Sequence, residues 1–134
     1  MLHIYIAGPM TGVGGNFNFP LFDHVAGRLR GTKKCFVFSP ADLARSTLGP
    51  LETIQKMDKK LLAKARKNLL KQELNWIIDN ADFVLMLPGW ERSSGATAER
   101  AVALALDIPV RDVPNVVLFD SPIEKWDITT LENE

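Results

Sequence analysis

The chain of 134 residues has one cysteine, two histidines and one tyrosine, and its sixteen acidic residues balance its sixteen Lys and Arg residues. A single cysteine excludes an internal disulfide, and no group of Cys and His has metal-ligand spacing. With a net charge of zero, no global field draws the chain to nucleic acid or to an anionic membrane. The N-terminal run LHIYIA lacks a charged leader and is far too short for a signal-peptide core or a membrane span. No internal repeat and no low-complexity segment is present, and no Ser-His-Asp arrangement is apparent. The expectation is a soluble intracellular protein that needs neither metal nor cofactor.

At 46% hydrophobic and 24% charged residues, the composition is that of an ordinary globular chain, and its length suits one domain over residues 1–134. Leu2 to Ala7 reads as a buried strand closed by Gly8-Pro9, and Cys35 to Phe38 as a second strand ended by Ser39-Pro40. Cys35 itself reads as a small buried hydrophobe. Between the two strands, Asn18 and Pro20 mark a helix start, Phe19, Phe22, Ala26 and Leu29 form one apolar face, and Gly31 stops it. Residues 44–56 read as an irregular excursion. A helical pattern then runs from Met57 to Asp79 through Leu61, Ala65, Leu69, Ile77 and Ile78, as one long helix or two.

Phe83 to Leu87 is the most apolar strand, and a helix from Ala96 to Leu106 follows with Ala98, Ala101, Val102 and Ala105 on one face. Two further short strands fit Ile108 to Val110 and Val116 to Phe119, and Trp126 suggests a tail that packs on something. Five strands alternating with helices give βαβ units and a mostly parallel sheet. Ligands of such sheets bind beyond the carboxyl ends of the strands where the strand order switches. That rule brings together the loops Gly8 to Asn16 and Pro88 to Gly95.

The loop GPMTGVGG offers backbone N–H groups to a phosphate, or is a plain flexible turn. It is not a P-loop, since no Gly-Lys-Ser/Thr follows, and Gly12 and Gly14 lack the third glycine of a dinucleotide fingerprint. Ser93-Ser94-Gly95 is an anion site at a helix start or an ordinary cap. No capping box explains Glu99, because Ala96 occupies the position that would need Ser or Thr. Side chains lean toward a helix start, so Glu99 points back to the loops, where a carboxylate suits attack on carbon or proton handling. The alternative is a surface acid paired with Arg92 or Arg100. Tyr5 reads as strand packing, Glu73 as a solvated acid, and His3 and His24 as structural or exposed. Seven Lys or Arg residues between Lys56 and Lys71 read as a solvated basic face, with phosphate or partner contact as the other possibility.

The segments IYIAGPM, KQELNWIIDNADFVLMLPGW and SSGATAERAVALAL together resemble the nucleoside 2-deoxyribosyltransferase-like superfamily, in particular the small phage and bacterial proteins of the DUF4406 type. The resemblance covers most of residues 2–110 and is weakest over 44–66 and after 115. It implies a flavodoxin-like, Rossmann-like three-layer α/β sandwich. It assigns Glu99 as the nucleophile that attacks C1′ of the sugar, and Tyr5 as the hydroxyl that orients it. It places Glu73, where the family commonly has Asp, beside the leaving base. Ser93 stands six residues before the nucleophile, a serine position of the 5′-monophosphate N-glycosidases, where nucleoside transferases carry an acid. The implied binding set is Gly8, Pro9, Met10, Thr11, Gly12, Ser93, Ser94 and Gly95, with charge added by Arg92. Trp90 either stacks on the base or packs.

The implied activity is hydrolysis of the N-glycosidic bond of a (deoxy)nucleoside 5′-monophosphate through a covalent glycosyl-Glu intermediate. Deoxyribosyl transfer between bases and non-catalytic nucleotide binding or sensing are the alternatives. A homodimer or higher homo-oligomer, with which the apolar tail LFDSPIEKW is compatible, and a cytoplasmic location (the host cytoplasm for a phage-encoded chain) complete the expectation.

Overall fold

The computed structural model describes residues 1–10 and 15–119. Thr11 and Gly12 of the implied binding set, and the tail with Trp126, lie outside them. Strand β1 (Leu2–Ala7) is followed by α1 (Phe19–Gly31), β2 (Cys35–Phe38), α2 (Pro40–Leu48), α3 (Leu51–Gln55), α4 (Lys59–Asn80), β3 (Phe83–Met86), a 3-10 turn (Trp90–Arg92), α5 (Ser94–Ala105), β4 (Val110–Asp112) and α6 (Asn115–Leu118). The sheet is parallel throughout, in the order β2-β1-β3-β4.

β1 alternates between two cores. Ile4 and Ile6 pack with Phe22, Val25 and Leu29 of α1, while Tyr5 and Ala7 pack with Ile77 of α4 and with Ala96 and Ala103 of α5. A period of two thus sends neighbouring side chains to opposite faces, each covered by helices, which is a three-layer α/β arrangement. All four side chains are fully buried, and the larger ones contribute about 1.5–3 kcal/mol each.

Four strands form, not five. Val116 to Phe119 falls in the helical turn α6, because Pro114 fixes φ at −61° and the Leu118 and Phe119 N–H groups bond to Pro114 O and Asn115 O. Arg28 Nη2 donates to Val116 O at 2.8 Å, and a His24 ring nitrogen lies 3.0 Å from Leu118 O, so α1 holds this turn against itself. An apolar run this short carries no periodicity that separates strand from helix. Residues 44–56 are not irregular either. Pro40 starts α2, Gly49 at φ 101° ends it, and Pro50 precedes α3. The pattern from 57 to 79 is one helix. Its buried stripe is Leu69, Glu73 and Ile77, while Leu61 and Ile78 stay more than half exposed.

In α5 the buried face is Ala96, Glu99 and Ala103, displaced from the alanines at 98, 101 and 105. Alanine on every side of this helix leaves its apolar period undefined. In both α4 and α5, then, a carboxylic acid occupies the middle of an apolar stripe. Chain order reverses direction between β1 and β3, so their carboxyl ends flank the switch point of the sheet.

Candidate active site

β1 carries Tyr5 to the floor of that switch point, α5 brings Glu99 over it, and α4 brings Glu73. The three residues are 0%, 3% and 8% exposed. The Tyr5 hydroxyl donates a hydrogen bond to Glu99 Oε2. The Tyr5 ring is fixed by stacking on Phe38, with centroids 5.4 Å apart, and by Trp76 at 6.2 Å.

Burial governs the protonation of the group. It raises Glu73 from 4.5 to about 7, opposed by hydrogen bonds with Glu99 and Tyr5. It raises Glu99 well above the usual carboxylate range, reinforced by the charge of Glu73 and opposed by the Tyr5 hydroxyl. Tyr5 is raised as well, first by burial and then by the two carboxyls, and so stays a neutral donor. The carboxyls titrate as a pair that holds at least one proton at neutral pH. Deeper burial favours the proton on Glu99, whereas the donated Tyr5 hydrogen bond favours it on Glu73. The hydrogen-bond direction decides for Glu73, since a hydroxyl already donating to Glu99 stabilises that carboxylate as the acceptor.

The pair opens into a cleft of about 410 Å³, a size suited to a small organic ligand. Gly8, Met10, Ser93, Ser94, Gly95, Glu73 and Glu99 all line it. Ser93 caps α5, its Oγ accepting from Ala96 N at 3.2 Å, which leaves its own O–H available to a ligand. The glycine loop is held from two sides. Asn18 Nδ2 donates to Pro9 O at 3.0 Å, and Gln55 Nε2 donates to Gly15 O at 2.6 Å. Gly8 must be glycine, because an added Cβ would stand 2.8 Å from Leu87 Cβ and Cδ1. Pro9 is buried and positions the loop without lining the cleft.

Trp90 is not brought to the acids. The Arg100 guanidinium covers its ring at 4.9 Å from the centroid, and both belong to a separate hollow of about 420 Å³ with Arg111 and Asp112. Glu99 pairs with neither Arg92 nor Arg100 and is buried, so it is no solvated helix charge. Glu73 is likewise buried rather than solvated.

The sequence reading missed the cleft wall built by α2, α3 and the first half of α4, including Phe19, Pro40, Ala44, Ile54, Arg66 and Lys67. One signal was present: an acid at the centre of Leu69-x-x-x-Glu73-x-x-x-Ile77, where helical spacing demands an apolar residue. Among the described residues no group of His, Cys, Asp and Glu is arranged to hold a metal ion. None of the described helices is long and apolar enough to cross a membrane.

Residues 2–112 match the model of a family described as a domain of unknown function, DUF4406. Neither the curated proteins nor the solved structures yield a match.

Proposed function

From the premise that the chain belongs to the DUF4406 family, we propose that it is a nucleoside 2-deoxyribosyltransferase-like N-glycosidase acting on (deoxy)nucleoside 5′-monophosphates. The observation that carries this reading is the buried Tyr5–Glu99–Glu73 group at the floor of a cleft whose rim includes the Ser93-Ser94-Gly95 turn.

The Glu99 carboxylate attacks C1′ of the sugar. The bond from C1′ to the base nitrogen breaks, its electron pair leaves with the base, and the Glu73 carboxyl gives that nitrogen its proton. A glycosyl ester of Glu99 results. Water then attacks C1′ while the Glu73 carboxylate takes its proton, the ester bond breaks, and both acids return to their starting state. Two displacements retain the anomeric configuration. Tyr5 holds the nucleophile by its hydrogen bond and spreads its charge. The Ser93 hydroxyl and the free amides at the start of α5 suit a phosphate, which an acid at position 93 would repel.

Incubation with a panel of nucleoside 5′-monophosphates, with and without a free acceptor base, tests the reading by chromatography. Base released without acceptor is the expected result. A new nucleotide formed only with acceptor would replace hydrolysis by transfer. Absence of both products, with nucleotide bound, would end the enzymatic reading.

A further inference from the structure

The two acid-bearing helices run in the same direction, since each leads from the carboxyl edge of the parallel sheet back to the start of the next strand. Their heights can therefore be compared residue by residue. Lys67 lies six positions before Glu73, and Ser93 lies six positions before Glu99. With a rise of about 1.5 Å per residue, both stand roughly 9 Å above the carboxyl pair. Arg66 and Lys67 on α4 thus face Ser93, Ser94 and Gly95 on α5 at one level, and all five line the same cleft.

The two cations are not neutralised by the protein. Elsewhere arginines are matched with acids, as in Arg30–Asp42 at 2.7 Å and Arg45–Asp23 at 2.7 Å, but among the described residues Arg66 and Lys67 form no ion pair. Much of the surrounding wall is apolar, including Leu48, Ile54, Leu62 and Leu70. A lysine and an arginine beside such a wall retain unspent charge for a ligand. The serine turn supplies hydroxyl and amide donors but no full charge.

We propose that Arg66 and Lys67 are the charged half of a single anion subsite whose neutral half is Ser93-Ser94-Gly95, and that this subsite selects phosphomonoester ligands over neutral ones. The inference rests on the reading of the carboxyl pair as the point where the sugar sits, and assigns the specificity at the other end of the ligand. It separates these two cations from Lys64 and Lys71 on the same helix, which do not line the cleft.

The test compares wild type with the Arg66→Gln/Lys67→Gln protein and with Lys64→Gln/Lys71→Gln, a control of equal charge change. Calorimetric titration uses a nucleoside 5′-monophosphate, the matching nucleoside and inorganic phosphate, each at low and high salt. The cleft variant is expected to lose on the order of tenfold or more in monophosphate and phosphate affinity, with nucleoside affinity unchanged. The control keeps wild-type values, and the wild-type preference weakens as salt rises. Equal affinity in the cleft variant, an equal loss in the control, or no phosphate binding by wild type would overturn the proposal. The readout is independent of turnover. Phosphate discrimination without base release sinks only the glycosidase reading, and base release without discrimination sinks only this one.

Discussion

The Tyr5 hydroxyl donates a hydrogen bond to Glu99 across 94 positions of sequence, joining the first strand to the last long helix inside the protein. A second acid, Glu73, shares this buried space. Isolated carboxyls are expensive to bury, and two together are worse, because burial and mutual repulsion both favour protonation. A fold that needed only stability would place leucine or alanine at these stripe positions. Retaining two acids and a phenol there is the arrangement that proton transfer and nucleophilic attack require.

Tyr5→Phe isolates the hydrogen bond. The phenyl ring keeps its stack on Phe38, so the fold is expected to survive. Glu99 loses the group that opposes its upward shift, and its carboxylate becomes scarcer at neutral pH. A hydrogen bond to a charged group is worth about 1.5–3 kcal/mol, so turnover falls roughly ten- to a hundredfold. The rise of activity with pH moves to higher pH. An activity profile superimposable on wild type would remove Tyr5 from the site.

The carboxyl pair also makes stability depend on pH. Glu73 is raised from 4.5 to about 7, so the folded protein holds this proton more tightly than the unfolded chain does. Its contribution is fully present below about pH 4.5 and is lost as pH rises through about 7, a swing of roughly 3 kcal/mol. Glu99, raised also, acts with the same sign at higher pH. Glu73→Gln removes one titrating group and the repulsion on the other. Denaturant unfolding between pH 5 and 8 should show wild type weakening with pH, and the variant much flatter and more stable at pH 8. Parallel curves would contradict the assignment.

What the sequence made legible follows from its punctuation. Gly8-Pro9 and Ser39-Pro40 end apolar runs, and β1 and β2 stop there. Parallel βαβ order then located the cleft at the ends of β1 and β3 before any contact was known. Three things stayed hidden for physical reasons. Alanine all round α5 concealed which side was buried. The Gly49-Pro50 pair reads equally as a loop or as the joint between two helices. Arg66 and Lys67 look like any solvated basic face until tertiary packing turns that side of α4 toward the cleft. Tyr5 and Glu73 were recoverable only by resemblance, since burial of a polar tip depends on what packs above it.

Gly8→Ala tests how tightly the cleft floor is built. The new methyl would overlap the Leu87 side chain at 2.8 Å, and Leu87 is fully buried with no room to retreat. Overpacking of this kind costs about 1–3 kcal/mol. The first loop would shift from the cleft as well. Thermal unfolding should show the loss, and ligand affinity should fall beyond what reduced stability explains. A variant with wild-type midpoint and affinity would show that the contact yields freely.

Ser93 separates structure from specificity, because it caps α5 and lines the cleft at once. Ser93→Ala loses the cap to Ala96 N and should cost about 1 kcal/mol of stability. Ser93→Asp keeps the cap, since aspartate serves that position as well as serine does and suits the positive end of the helix. It also places a carboxylate where a phosphate would bind. The aspartate variant is therefore expected to unfold like wild type while losing nucleoside 5′-monophosphate far more than the matching nucleoside. Repulsion in a cleft with an apolar wall makes a hundredfold change in the ratio of the two affinities a reasonable scale, about 2.7 kcal/mol. Stability curves and binding titrations on the same two variants check both halves. Equal losses on nucleotide and nucleoside would leave Ser93 as a cap alone, and would move phosphate recognition to another part of the cleft.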